Sequence, residues 1–299
     1  MSMVSFQELM EQARSGGYAV GYFESWNLES ILAVADAALA VRSPVMLGFS
    51  GISVPCTEPG GSKRLRPYAA LGEEVCRQLS VPACFVFNES PHMDWVKEAI
   101  DLHFGLVMYS DPDVSFDDQP EKIRQVVRAA HQSSVAVEAE PQALPGVHRE
   151  LSDVPEDLHL TDPDGAQAFV EFTGIDSLAV NVGQAHVHGR RDVRLDLSRL
   201  DSLRRVVSVP LALHGGTSIS PADVKEAIKM GVRKINVGSI LKRSYFDGLR
   251  SASAKVDTDY NPYEVVGSGL AKDVLAAGRA ALMSTVQRFM SLYGSAGKA

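Results

Sequence analysis

His214 ends an apolar run and is followed by Gly215, Gly216, Thr217 and Ser218, within LALHGGTSIS over residues 211–220. Glycines let backbone N–H groups approach a ligand closely, hydroxyls add donors, and a helix starting at Pro221 supplies positive potential. Together they describe a phosphate cradle. The alternative is a tight strand-to-helix turn around a buried, satisfied histidine. KINVGSI (234–240) repeats the cradle logic with Asn236, Gly238 and Ser239. NVGQAHVHGRR (181–191) places His186, His188, Arg190 and Arg191 beyond another apolar run. An imidazole there can bind a metal and an arginine can hold an anion bidentately; otherwise the segment is a solvated loop. FVFNES (85–90) ends in Asn88, Glu89 and Ser90. A carboxylate at that place completes a His186/His214/Glu89 metal set with positions left open for substrate, or it caps the helix that begins PHMDW. Imidazoles from two strand ends favour Zn2+ or a similar borderline ion. His92, His103 and His131 lie on or beside helix-like runs and read as surface or packing residues, while His148 and His159 fall in a long connection.

Chemistry at run ends needs elements that bring those ends together. Eight strand-like runs alternate with helix-like runs: 18–23, 44–49, 83–87, 106–109, 135–139, 177–182, 210–214 and 234–238. Apolar runs of this length between amphipathic helices predict parallel strands covered on both faces. Eight of them predict a (β/α)8 TIM barrel, whose C-terminal strand ends form one mouth. The chain is read as a single domain over 1–299, opened by a helix at 5–15 that stops at Gly16–Gly17. Asn27 and Thr161 are expected helix caps, Thr161 with Asp164 three residues on. Residues 57–67 read as a mobile mouth loop and 141–163 as a lid. A helix near 240–252 and an extra amphipathic C-terminal helix near 264–293 follow the last strand. The apolar face of the second predicts a homo-oligomer of at least two subunits.

The bulk numbers narrow the function classes. A hydrophobic fraction of 45% and a charged fraction of 22% suit a globular core. A formal charge of −8 argues against a nucleic-acid partner, though local N–H groups can still hold a phosphate. No stretch approaches the length of a membrane span. Three cysteines (Cys56, Cys76 and Cys84) without metal spacing, and an acidic N-terminus without an apolar core, suit a cytoplasmic protein.

Taken together, these segments resemble the class II, metal-dependent ketose-bisphosphate aldolases, the fructose- and tagatose-bisphosphate aldolases. The resemblance runs collinearly from GYAVGYF…NLE (17–29) through SVAVEAE (134–140), TDP…FVEFTGIDSLAVNVG (161–183), LALHGGTS (211–218) and GVRKINVGS (231–239) to YGSAGKA (293–299). It implies a C–C lyase, assembled as a homodimer or homotetramer and acting on a phosphorylated ketose, with a divalent ion, usually zinc, bound by three histidines. That ion polarises the carbonyl of dihydroxyacetone phosphate and stabilises an enediolate. By this resemblance His214 is the last histidine ligand and His186 the middle one, with His188 its rival. Gly183, Gly216, Thr217, Asn236 and Ser239 hold the phosphate, and Arg190 stands in for a lysine. The departures are as informative. Asn88–Glu89 replaces an Asp–His pair in which Asp handles the proton; Glu24 replaces an asparagine; Ser110, beside Asp111, replaces an aspartate. The expectation is therefore a divergent aldolase in which Glu89, or Glu150 of the long connection, carries the proton. The alternatives are a catalytically silent sugar-phosphate binder and a related enolate enzyme such as an epimerase.

Overall fold

A computed structural model describes residues 3–54, 65–146, 154–155, 158–188 and 192–299 of the chain. Eight parallel strands close a barrel in chain order. They are β1 (Val20–Ser25), β2 (Val45–Ser50), β3 (Ala83–Ser90), β4 (Leu106–Tyr109), β5 (Ala136–Ala139), β6 (Ser177–Ala179), β7 (Leu211–Leu213) and β8 (Val232–Val237). Helix α1 (Phe6–Gly16) precedes them. Between them run α2 (Leu28–Val41), α3 (Leu65–Gln78), α4 (Met93–Asp101), α5 (Gln119–Gln132), α6 (Pro163–Thr173), α7 (Leu197–Val206) and α8 (Pro221–Lys229). After β8 come α9 (Ser239–Ser253), α10 (Pro262–Val265) and α11 (Val274–Leu292). The predicted (β/α)8 TIM barrel with a C-terminal helix is the fold observed.

Alternation along the strands sorts side chains into two sets. Phe23, Leu47, Phe49, Phe85, Phe87, Val107, Val137, Leu213 and Ile235 face the helices and form the main core. Val20, Tyr22, Met46, Cys84, Val86, Leu106 and Ala136 belong to a second cluster inside the barrel, which α1 plugs from below with Phe6, Leu9, Met10 and Ala13. Those four share one helix face, and each large side chain so buried contributes about 1.5–3 kcal/mol. Further along each strand the inward positions turn polar. Ala136 is followed by Glu138 and Glu140, Ala212 by His214, Val86 by Asn88, and Lys234 by Asn236; all six polar groups are buried. The barrel is apolar below and charged toward its C-terminal mouth.

Helix ends follow the sequence signals with one exception. Asn27 caps α2 through a capping box with Ser30, and Gly17 ends α1 at a left-handed φ of 67°. The cap of α6 is Asp162, which accepts from the Gly165 N–H. Thr161 instead accepts the Asn181 N–H at 2.8 Å and so ties the α6 entry to the end of β6. The expected continuous helix over 264–293 is broken into α10 and α11, with Gly267 and Gly269 at positive φ between them. Leu282, Val286 and Met290 of α11 are buried, and α11 packs against α2 and α9. The apolar face assigned to a partner subunit is thus covered within the chain, by α2 and α9. Among the described residues no helix is long and apolar enough to cross a membrane.

The loops after β6 and β7 are sewn together. Val193 N–H donates to Ser218 O at 2.6 Å, and Ser220 N–H to Val193 O at 2.9 Å. Asp223, 1% exposed in the first turn of α8, accepts from the Leu195 N–H at 2.8 Å and from Arg194 Nε at 2.7 Å. Burial alone would raise the Asp223 pKa, but the Leu195 N–H and the Arg194 guanidinium outweigh it and hold the carboxyl below its usual range. Because the folded pKa is depressed, the contribution is complete above the unfolded pKa and is lost as pH falls through the folded one. Asp223→Ala leaves a buried N–H unpaired and should cost about 1–3 kcal/mol in urea unfolding at pH 7. The difference from wild type should shrink only below about pH 4. A difference that is absent at pH 7, or that grows on acidification, would contradict the assignment.

Candidate active site

Neighbouring residues of a regular strand face opposite sides, so Asn88 and Glu89 could not both reach the barrel mouth from an unbroken β3. The β3–β4 ladder is interrupted between Phe87 and Ser90, and Glu89 adopts a left-handed φ of 43°. A non-glycine residue held there costs about 1–3 kcal/mol, and the bulge re-aims the side chain. Both Asn88 and Glu89 line the cavity at the mouth. Glu89 does not cap α4, whose N-cap residue is His92 and which has no side-chain capping bond.

At the floor of the mouth a ring of side chains closes on itself. Lys234 Nζ donates to Glu138 Oε1 and to Asn236 Oδ1, each at 2.6 Å. Asn236 Nδ2 donates to Asn88 Oδ1 at 3.4 Å, and Asn88 Nδ2 to Glu89 Oε2 at 2.8 Å. His214 closes the ring, with Nδ1 at 3.0 Å from Glu89 Oε1 and Nε2 at 3.0 Å from Glu138 Oε1. Ser177 Oγ adds a bond to the other oxygen of Glu138 at 2.7 Å. An imidazole between two carboxylates donates from both nitrogens and carries a charge. Burial opposes that charge, but the bonds to Glu138 and Glu89 outweigh it and lift the His214 pKa to about 10. Burial likewise opposes ionisation of Glu138 and Glu89. Lys234 and His214 lower Glu138 to about 2, and the bond to His214 lowers Glu89 to about 2. Two cations face two anions, the condition under which charges are tolerated inside a barrel.

Glu140, the next inward residue of the β5 column, behaves differently. Burial pushes its carboxyl up to about 7, against the attraction of His214. It accepts from Ser110 Oγ at 2.8 Å, the position where the resemblance places an aspartate.

Above the ring lies a cavity of about 190 Å³, and His186, His188 and His214 all line it. Gly215 and Thr217 form one wall; Gly238 and Ser239, at the start of α9, form another. The helix start supplying positive potential to the mouth is therefore that of α9, whose N-cap is Gly238 and whose Ile240 N–H reaches Thr217 Oγ1 at 3.5 Å. The helix at Pro221 is capped by Ser220, which accepts from the Asp223 N–H. Glu24 lies against Gly238; it accepts from Ser53 Oγ and from Lys242 Nζ at 3.0 Å.

Two glycines assigned to phosphate stand back from this lining. Gly216 donates its N–H to Asn236 O at 2.9 Å, and a Cβ there would lie 2.6 Å from Ile235 Cγ2 and 2.7 Å from Asn236 O. Gly183 donates to Asn181 Oδ1 at 3.1 Å. Cys56, His148, Glu150 and Arg190 fall outside the described residues. Sequence reasoning passed over Glu138, Lys234, Tyr22 and Lys242. The signal for the first two was present: a Glu and a Lys inside otherwise apolar strand runs must find buried partners. Among the described residues no set of three or more His, Cys, Asp or Glu side chains stands as a ready-made metal site.

The whole chain has relatives with this architecture. Residues 4–298 match the family described as fructose-bisphosphate aldolase class-II. The fructose-bisphosphate aldolase of Geobacillus stearothermophilus is 32% identical, the match covering 100% of this chain and 99% of that protein. The sulfofructosephosphate aldolase of Alkalicoccus urumqiensis is 27% identical over the same shares. Among crystal structures, the YdjI aldolase of Escherichia coli K12 superposes with a TM-score of 0.78 at 26% identity, covering 99% of both chains. The fructose-bisphosphate aldolase of Campylobacter jejuni superposes at 0.80 with 18% identity, over 100% of this chain and 97% of that one, a likeness of fold alone. The chain belongs to the class II fructose-bisphosphate aldolase family.

Proposed function

We propose that the chain is a divergent metal-dependent aldolase that cleaves or forms a phosphorylated ketose. The observation that carries this reading is the placement of His214. Glu138 fixes one ring nitrogen from below, while the other faces Glu89 in a cavity walled by a glycine turn and the start of α9. The donor chemistry fits a divalent ion such as Zn2+: imidazole and carboxylate are its ordinary ligands, and a carboxylate behind a ligand histidine is its usual support. His214, Glu89 and His186 would hold it, with His188 the rival of His186. When bound, such an ion supplies Lewis-acid polarisation of a carbonyl.

The chain's own residues supply the rest. Lys234 and Glu138 hold the His214 ring in one orientation. Thr217, Ser239 and the start of α9 offer donors to a phosphate. Glu24 sets a carboxylate beside that helix start, which disfavours a second phosphate on the β1 side. Asn88 exchanges no proton at neutral pH, and Glu89 at about 2 stays ionised. Burial holds the Glu140 carboxyl at about 7, but it is bonded to Ser110 and does not line the cavity, so Glu150 of the long connection is the carboxyl proposed to carry the proton. A cytoplasmic homo-oligomer goes with this reading on family grounds only.

A second reading, a silent sugar-phosphate binder, is favoured by Asn88, whose amide is tied into the ring at both ends. A metal-supplemented screen of ketose phosphates for triose release separates the two, since the binder releases none from any of them. Fructose 1,6-bisphosphate should turn over about 10²–10⁴-fold more slowly than expected of an enzyme with the family's aspartate. Asn88→Asp with Glu89→His should raise that rate; efficient cleavage of this substrate by the wild-type protein would contradict the divergence. His214→Asn should reduce zinc retained after dialysis from about one equivalent to a small fraction, measured by elemental analysis. Full retention in that variant would remove His214 from the ligand set.

A further inference from the structure

We propose that the hydroxyl of Tyr22 is a substrate-binding group, donating a hydrogen bond to an oxygen of the ligand held in the cavity. Tyr22 is 2% exposed and projects inward from β1, where it lines the cavity beside Asn88, Asn236 and His214. Its ring is fixed: it packs in the interior cluster, and Lys234 Nζ sits 5.4 Å from its centroid, a cation–π contact. Its backbone pairs with Asn236 on β8. Yet its hydroxyl has no hydrogen-bond partner among the described residues, while the ring residues around it are bonded to one another. A buried hydroxyl without a partner is costly in the free protein, and an acceptor brought by a ligand recovers that cost.

The chemistry of the acceptor follows from the surroundings. Burial, reinforced by the Glu24, Glu89 and Glu138 carboxylates, holds the phenol well above its ordinary pKa, so the hydroxyl keeps its proton and acts as a donor. The phosphate-binding groups lie on the cavity wall at Thr217 and the start of α9, whereas Tyr22 lies at the floor of the same cavity, next to the ring. Its partner is therefore a carbonyl or hydroxyl oxygen of the carbon chain, not the phosphate.

This inference rests on the sugar-phosphate reading, and one comparison tests both. Wild type and Tyr22→Phe, each as the full chain, are melted in the free state and titrated calorimetrically with dihydroxyacetone phosphate. Removing an unpaired buried hydroxyl should leave the melting temperature unchanged or raised, while the affinity falls about 5- to 100-fold. Equal affinities would overturn the assignment of Tyr22 and leave the sugar-phosphate reading standing. A lowered melting temperature in the variant would also overturn it, by showing that the hydroxyl has a structural partner. Absence of binding by the wild-type protein would overturn the sugar-phosphate reading and this inference with it.

Discussion

Glu138 is the group on which the interior depends. It is fully buried and accepts from Lys234, His214 and Ser177. A carboxylate without these donors would be excluded from such a place, and each donor in turn needs it. Lys234, equally buried, has Glu138 as its only anionic partner among the described residues. His214 needs it to fix one ring nitrogen. The barrel brings the four together by register: Glu138 is paired with Ser177 across β5–β6, and β7 and β8 set Ala212 beside Lys234, two positions before His214. One anion thereby sets the direction of every hydrogen bond around the ring.

That directionality explains the departure at position 88. Lys234 can only donate, so the Asn236 oxygen is committed to it and the Asn236 amide points at Asn88. The Asn88 oxygen accepts, which leaves its amide to donate to Glu89. An aspartate at 88 would set a second carboxylate against Glu89, and one of the two would have to be protonated. Asn88 and Glu89 are a matched pair, and the bulge that lets both face the mouth belongs with them. Changing either one alone leaves a buried group without its partner.

The architecture was legible because parallel strands buried on both faces write long apolar runs, and eight such runs leave few alternatives. His214, Glu89, Asn236 and the cavity histidines were legible because polar residues at the ends of those runs stand out. Glu138 and Lys234 lay inside the runs, where one charged residue among apolar neighbours is easily counted as part of the strand. Tyr22 was hidden for a different reason. A tyrosine suits an apolar strand by its ring, and only the placement of its hydroxyl distinguishes it. The break between α10 and α11 was missed because amphipathic spacing continues across the Gly267–Gly269 segment while the backbone does not. The α6 cap was displaced by one residue, since Thr161 was already engaged with β6.

A double-mutant cycle on Lys234→Met and Glu138→Gln, followed by urea unfolding, measures whether the buried anion organises the interior. Either single change should be severe, because it leaves a charge or a donor unmatched. The pair together should cost less than the sum, with a coupling of about 2 kcal/mol or more. A coupling under about 0.5 kcal/mol would mean that the two groups are satisfied independently, and that the ring around His214 is not held by Glu138.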